Sequence, residues 1–153
     1  MKIRKATLKD LEEVDKIYVE GSLYEGRLQF PKVSKKEMVK ELNKARRDRL
    51  ISFRRELKDK KHFWIVAIEN NNIIGIGNAW IKSKDTGMIG QVFITKRFRG
   101  KGFGTAIMKN LIKWLKGKKK KYIESGIYWN NKPSIKFHEK LGFKPIVLKM
   151  KLK

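Results

Sequence analysis

The sequence predicts an α/β (α+β) fold in which a mixed, mostly antiparallel sheet is flanked by helices. Three observations predict it. A short alternating stretch at the start runs into a helical period, two apolar strands flank an asparagine turn with a third behind them, and a strand, a glycine-rich turn and an amphipathic helix then follow in succession. At 153 residues the chain has room for one core, so a single domain over residues 1–153 is expected.

Residues 3–6 alternate as a strand does. Thr7 or Asp10 can cap the helix behind them, whose apolar face is Leu11, Val14, Ile17 and Tyr18. "YVEGSLYEGRLQFPKVS" (18–34) holds two glycines and a proline without a period, and reads as a loop of functional length. Ser34 and Glu37 form a capping box for a long helix over 35–58, with Met38, Leu42, Ala45, Leu50, Phe53 and Leu57 as a drifting apolar stripe. Its other face carries Arg46, Arg47, Arg49, Arg54 and Arg55, which read as a solvated surface or a polyanion contact.

"HFWIVAIE" (62–69) and "IIGIGNAWIKS" (73–83) flank "NNN", a hairpin signal because asparagine tolerates the positive φ of tight turns. "GMIGQVFIT" (87–95) completes an antiparallel meander. Beyond the glycine turn a helix over 104–116 points Ile107, Leu111, Trp114 and Leu115 inward. "KYIESGIYW" (121–129) reads as a strand, "KPSIKFHEKLG" as a helix with Pro133 in its first turn and Gly142 past its end, and "FKPIVLKMKLK" as a last strand.

Composition narrows the function classes. Without cysteine the chain can form no disulfide, thiolate metal site or acyl-cysteine intermediate, and no bound metal is expected. No apolar run approaches the roughly 18 residues of a membrane span, and the start lacks the apolar core of a signal peptide. A cytoplasmic location without membrane contact is therefore expected. Lys and Arg total 39 against 15 acids, a net charge of +24. Lysine rises here without glutamate, so heat adaptation does not account for it, and such a field attracts polyanions. Contact with nucleic acid or a ribosome is the partner this charge suggests.

In "TKRFRGKGFGTAIMKNLIKWL" (95–115), a strand, a glycine turn and a helix start place unpaired N–H groups at a helix N-terminus, an anion site. Gly100, Gly102 and Gly104 would let a pyrophosphate approach the main chain, with Arg99 and Lys101 adding charge. The helix dipole contributes only about 0.3–2 kcal/mol, so hydrogen bonds and cations must supply most of the grip. Neither the G-x-G-x-x-G dinucleotide fingerprint nor the P-loop spacing is present.

"RGKGFG" after "VFI", followed by helix, strand and "NKPSIKFHEKLGF", resembles the GNAT superfamily of acetyl-CoA-dependent N-acetyltransferases. The match runs through nearly the whole chain. It includes an R-x-x-G-x-G turn at Arg99, Gly102 and Gly104, and an N-x-x-[AS]-x-x-F-x-x-K-x-G-F block over residues 131–143. The resemblance implies acetyl-CoA as cosubstrate. It implies that the main chain of Val92, Phe93 and Ile94 pairs with the pantetheine arm, that the amides of Gly100, Lys101, Gly102, Phe103, Gly104 and Thr105 hold the pyrophosphate, and that Asn131 bonds the pantetheine. Phe137, Leu141 and Phe143 read as core residues that seat the last helix.

Two positions depart from the family pattern. The family usually has Tyr after the Phe137 position, where its hydroxyl protonates the departing thiolate; here His138 stands there, and an imidazolium could serve. Relatives that acetylate protein N-termini often carry a Glu base at the position of Gly126. Glu124 lies two residues earlier on the same face, and Glu20, Glu25 and Tyr128 are the other candidates. Deprotonating a lysine amine at pH 7 costs roughly 4–5 kcal/mol against about 1–2 for an α-amine. Without a strong base, direct attack by a primary amine at a protein or peptide N-terminus is favoured. The competing expectation is a catalytically silent member of the fold that binds RNA or a ribosomal partner through its basic surface.

Overall fold

A computed structural model describes all residues 1–153. Its centre is a five-stranded sheet in the order β1-β2-β3-β4-β5, formed by Lys2–Lys5, His62–Glu69, Asn72–Ile81, Thr86–Ile94 and Tyr122–Ser125. The first four strands pair antiparallel and β5 joins β4 in parallel, so the sheet is mixed and mostly antiparallel as expected. The asparagine turn forms: Asn70 and Asn71 take φ of 51° and 62°, the left-handed values of a two-residue hairpin turn.

Helices cover both faces because the strands are apolar on both. On one side α1 (Leu11–Gln29) and α3 (Arg46–Lys58) pack a core of Val14, Ile17, Phe53, Trp64, Val66, Ile76 and Phe93, with α2 (Lys35–Lys44) lying against these two helices. On the other, α4 (Phe103–Gly117) drives the fully buried Ile107, Met108, Leu111 and Leu115 against Ile65, Ala67, Ala79 and Ile89. The last helix, α5 (Lys132–Lys140), brings Phe137, Leu141 and Phe143 to that second core. Arg4 fixes the start of α1 by pairing with both oxygens of the buried Asp10 at 2.8 and 2.9 Å, and Asp10 also accepts from the Thr7 amide at 2.7 Å.

Several expectations are corrected. Residues 18–34 are mostly helix, because α1 runs on to Gln29. Gly21 is there for close approach: a Cβ would overlap the Phe93 ring, so this helix reaches β4 only because the position has no side chain. The single helix over 35–58 is two, broken at Ala45 (φ −84°, ψ −3°), and only the second buries a side chain, Phe53. Arg46 and Arg49 then pair with Glu12 and Asp15 of α1, the Arg49–Asp15 contact at 2.6 Å, so part of the arginine face is an internal brace. Strand β5 stops at Ser125 rather than 129. The stretch after Phe143 is not a strand. Strand patterning describes fit to a paired, half-buried surface. No strand lies beside this segment, and Val147, Met150 and Leu152 are exposed.

Candidate active site

The site is built where β4 loses its second neighbour. Strand β5 is in register with β4 only from Thr86 to Ile89, opposite Ser125. Directly beyond, Gly90 and Gln91 together face the single residue Asn78, a bulge that the Asn78 side chain stabilises by accepting the Gln91 amide at 2.7 Å. Residues 90–94 therefore pair with β3 alone, and their other edge is uncovered. The side chains of Val92, Phe93 and Ile94 are committed to the two cores, so main-chain groups are what these residues can offer a ligand. One of them, the Ile94 carbonyl, is already held by Arg99 Nε at 2.9 Å.

The chain then makes one 3-10 turn, Lys96–Phe98, and the glycine turn delivers it to α4. Gly100 and Gly102 take φ of 74° and 87°, conformations that a side chain disfavours. None of the N–H groups of residues 100–105 finds an acceptor in the chain; the first helical bond of this end is Ala106 N–H to the Gly102 carbonyl, at 3.1 Å. Lys101 is exposed beside them, over the Phe98 ring, which Phe103 meets edge-on. A Cβ added at Gly104 would lie 3.7 Å from the Phe137 ring, and Thr105 is half-buried in the first turn. A row of orphan donors at a helix start, with a free cation, fits a pyrophosphate. Arg99 is partly engaged within the chain. It bonds the Ile94 carbonyl, approaches Glu20 at 3.4 Å and stacks over Tyr24 at 4.3 Å, so it ties the turn to α1.

Beyond β5 the chain reaches the start of α5. Asn131 is only 2% exposed, and its Oδ1 caps the helix by accepting the Ser134 amide at 3.3 Å. His138 is 8% exposed, with Nδ1 at 2.8 Å from the Ser134 carbonyl and Nε2 at 3.0 Å from Ser125 Oγ. Burial pushes its pKa below the ordinary histidine value, against the opposing bond to Ser134, and so favours the neutral ring. Nothing in the sequence singled out Ser125, because a lone serine at a strand end has no pattern.

The carboxylates divide by surroundings. Glu124 stands opposite Met88, on the face away from Ser125, 3.7 Å from Lys82. Glu20 is engaged, accepting the Lys96 amide at 2.7 Å. Burial raises the carboxyl pKa of Glu25 above the ordinary value, more than a hydrogen bond with Gln29 lowers it. Tyr128 is half-exposed, edge-on to Phe30.

A cavity of about 340 Å³ opens on the α1/α3 side of the sheet. Tyr18, Phe53, Trp64 and Trp80 give it aromatic walls, and Asp15 and Glu56 bring carboxylates, the latter accepting Trp64 Nε1 at 2.7 Å. Its floor includes Asn78 and Gln91, the two residues of the bulge contact. The spacing that revealed the two motifs carried no trace of this cavity, whose lining comes from five separate elements.

Comparison with known proteins agrees with this architecture. The acetyltransferase (GNAT) family model matches residues 27–143. The PaiA N-acetyltransferase of Thermoplasma acidophilum, solved in complex with coenzyme A, superposes with a TM-score of 0.77 at 17% identity, covering 94% of this chain and 89% of that one. A transcriptional regulator of Bacillus halodurans C-125 does so with a TM-score of 0.73 at 23% identity, over 99% and 98% of the two chains. These likenesses are of fold. An uncharacterised N-acetyltransferase of Methanocaldococcus jannaschii is 32% identical over 63 residues, 41% of this chain and 28% of that protein's length. With its sheet, its glycine turn and the greater part of its sequence matching, this chain belongs to the GNAT acetyltransferase family.

Proposed function

We propose that this protein moves the acetyl group of acetyl-CoA to a primary amine by direct attack, with a peptide or protein N-terminus as the acceptor. The observation that carries the reading is the continuity of two features: the uncovered edge of residues 90–94 leads straight into the unpartnered N–H groups of residues 100–105. An extended pantetheine arm can add to the first as a strand does, and a pyrophosphate can occupy the second. When bound, acetyl-CoA supplies an activated acyl group on a thiolate leaving group. The chain's own contribution is to hold that group beside Ser125 and His138, and to orient main-chain N–H groups toward the charge that develops on oxygen.

The cavity bears on the acceptor. Its aromatic walls suit an apolar body, whereas its carboxylates are already engaged, Asp15 by Arg49 at 2.6 Å and Glu56 by Trp64 Nε1 at 2.7 Å. An N-terminal residue with a large apolar side chain suits such walls, and its α-amine is cheaper to deprotonate than a lysine's. No helix of the chain is long and apolar enough to cross a membrane.

The test is calorimetric titration with acetyl-CoA after nucleic acid has been stripped at high salt. Thiol release is then followed over peptides that differ only in their first residue. One-to-one binding, with phenylalanine- and leucine-led peptides preferred to aspartate- or glycine-led ones, is expected. Absence of acetyl-CoA binding refutes the reading.

A further inference from the structure

The ring of His138 has no free nitrogen, and its two partners fix where its proton lies. A carbonyl oxygen can only accept, so the 2.8 Å contact to Ser134 assigns the proton of the neutral ring to Nδ1. Nε2 is then an acceptor, and Ser125 must donate to it across 3.0 Å. The hydrogen of Ser125 is thus committed to the imidazole, and the outward side of Oγ presents lone pairs alone. Such an oxygen suits a donor, and an attacking amine is one.

Ser125 and His138 lie on the α4/α5 face of the sheet, at the edge of the site. Ser125 is the last residue of β5, in register with Ile89 immediately before the bulge, at the fork where the uncovered edge begins. It is half-buried, whereas His138 is 8% exposed. A hydrogen-bonded proton path to the imidazole therefore runs through Ser125, because the Ser134 carbonyl has no hydrogen to pass on. The remaining neighbours do not titrate: the rings of Phe137 and Phe143 stand edge-on at 5.6 and 5.2 Å. On β5 the one carboxylate, Glu124, faces away toward Lys82, and Lys136, Glu139 and Lys140 of α5 are exposed.

We infer that Ser125 and His138 form a proton relay for the acetyl transfer proposed above, taking the proton from the amine and returning one to the sulfur. The amine lone pair forms the C–N bond while an N–H proton passes to Ser125 Oγ and the serine's own proton passes to His138 Nε2. The C–S electron pair leaves with sulfur, and the reverse transfer through Ser125 delivers a proton there. Both residues end as they began and nothing is oxidised or reduced. The return step runs downhill, since an imidazolium held below the ordinary histidine pKa is a stronger acid than a thiol of pKa about 8.5. One pair then fills two roles, the base missing at Gly126 and the acid missing where His138 replaces tyrosine.

Ser125→Ala, Ser125→Thr, His138→Phe and the Ser125→Ala/His138→Phe double variant test the relay in the full chain, with acetyl-CoA and a phenylalanine-led peptide as probes. Ser125→Ala is expected to bind acetyl-CoA as the parent does, and to lose about 10²-fold in kcat. It should also lose the acid limb of the kcat–pH profile that reports His138, and Ser125→Thr should restore most of both. The double variant should be no slower than the worse single one, as residues acting as a unit are. Imidazole nitrogen NMR of the free protein supplies a readout apart from activity: a proton on Nδ1, with a titration that Ser125→Ala displaces. A proton on Nε2 overturns the relay whatever the kinetics, and so does a Ser125→Ala variant with parental kcat and pH profile. If the parent protein fails to bind acetyl-CoA, the transfer reading itself fails and the relay falls with it.

Discussion

The two halves of β4 share a strand and differ in what borders them. Residues 86–89 lie between β3 and β5, so their polar main-chain groups have neighbours on both sides. Residues 90–94 keep β3 and lose β5, because the bulge at Gly90 and Gln91 turns the strand out of register with anything beyond Ser125. The first half is structure with nothing left over. The second half and the turn after it retain unused hydrogen-bonding capacity without being unfolded, since their side chains are anchored in both cores. Unsatisfied backbone on a rigid support is what recognition of an extended, anionic ligand requires.

The comparison can be broken most sharply at the turn. Gly102→Val places a β-branched residue at φ 87°, with strain of about 1–3 kcal/mol and a side chain beside the orphan N–H groups. Acetyl-CoA affinity should fall by about 10²-fold or more in calorimetry. Gly21→Ala and Gly87→Ala then separate the two halves. Each added Cβ overlaps a buried side chain, Phe93 in one case and Leu115 in the other, and each should cost about 1–3 kcal/mol in urea unfolding. Only the first displaces the free half, so only Gly21→Ala should also weaken acetyl-CoA binding.

Away from β4 the expected effects are on stability. The Arg4 guanidinium, hydrogen-bonded to Asp10, holds that carboxyl below the ordinary aspartate range. Its contribution is complete above the unfolded value and is lost as pH falls through the folded one. Asp10→Asn should cost about 1–2 kcal/mol at pH 7 and flatten the acid limb of a stability–pH curve. His138 acts in the same direction by a different route. Its pKa is depressed, so the unfolded chain binds more protons than the folded one, and stability declines as pH drops below the ordinary histidine value of about 6.5. His138→Phe should remove that slope. The smallest effect should come from Arg54→Ala and Arg55→Ala, exposed residues expected to stay within about 0.5 kcal/mol of the parent.

Features with a local physical cause were legible in the sequence. The Ser34–Glu37 capping box, the Asn70–Asn71 turn, the Pro133 start and Gly142 end of α5, and the glycine turn all follow from what single residues do to their own backbone. What depended on distant partners was not. The two glycines that suggested a loop at 18–34 lie within α1, where they leave room for Phe93, far along the chain, and for Met38 of the next helix. The contacts of Arg99 with Ile94, Glu20 and Tyr24 were likewise not visible in the sequence. The alternation after Phe143 was real but met no strand edge. Ser125 became visible only when β5 and α5 brought its hydroxyl to an imidazole.

Amide hydrogen exchange on the full chain, with and without acetyl-CoA, tests the central claim most directly. The account predicts new protection over residues 90–94 and 100–105, with residues 86–89 unchanged. Protection confined to other surfaces, or none in these two segments at saturating acetyl-CoA, would contradict it.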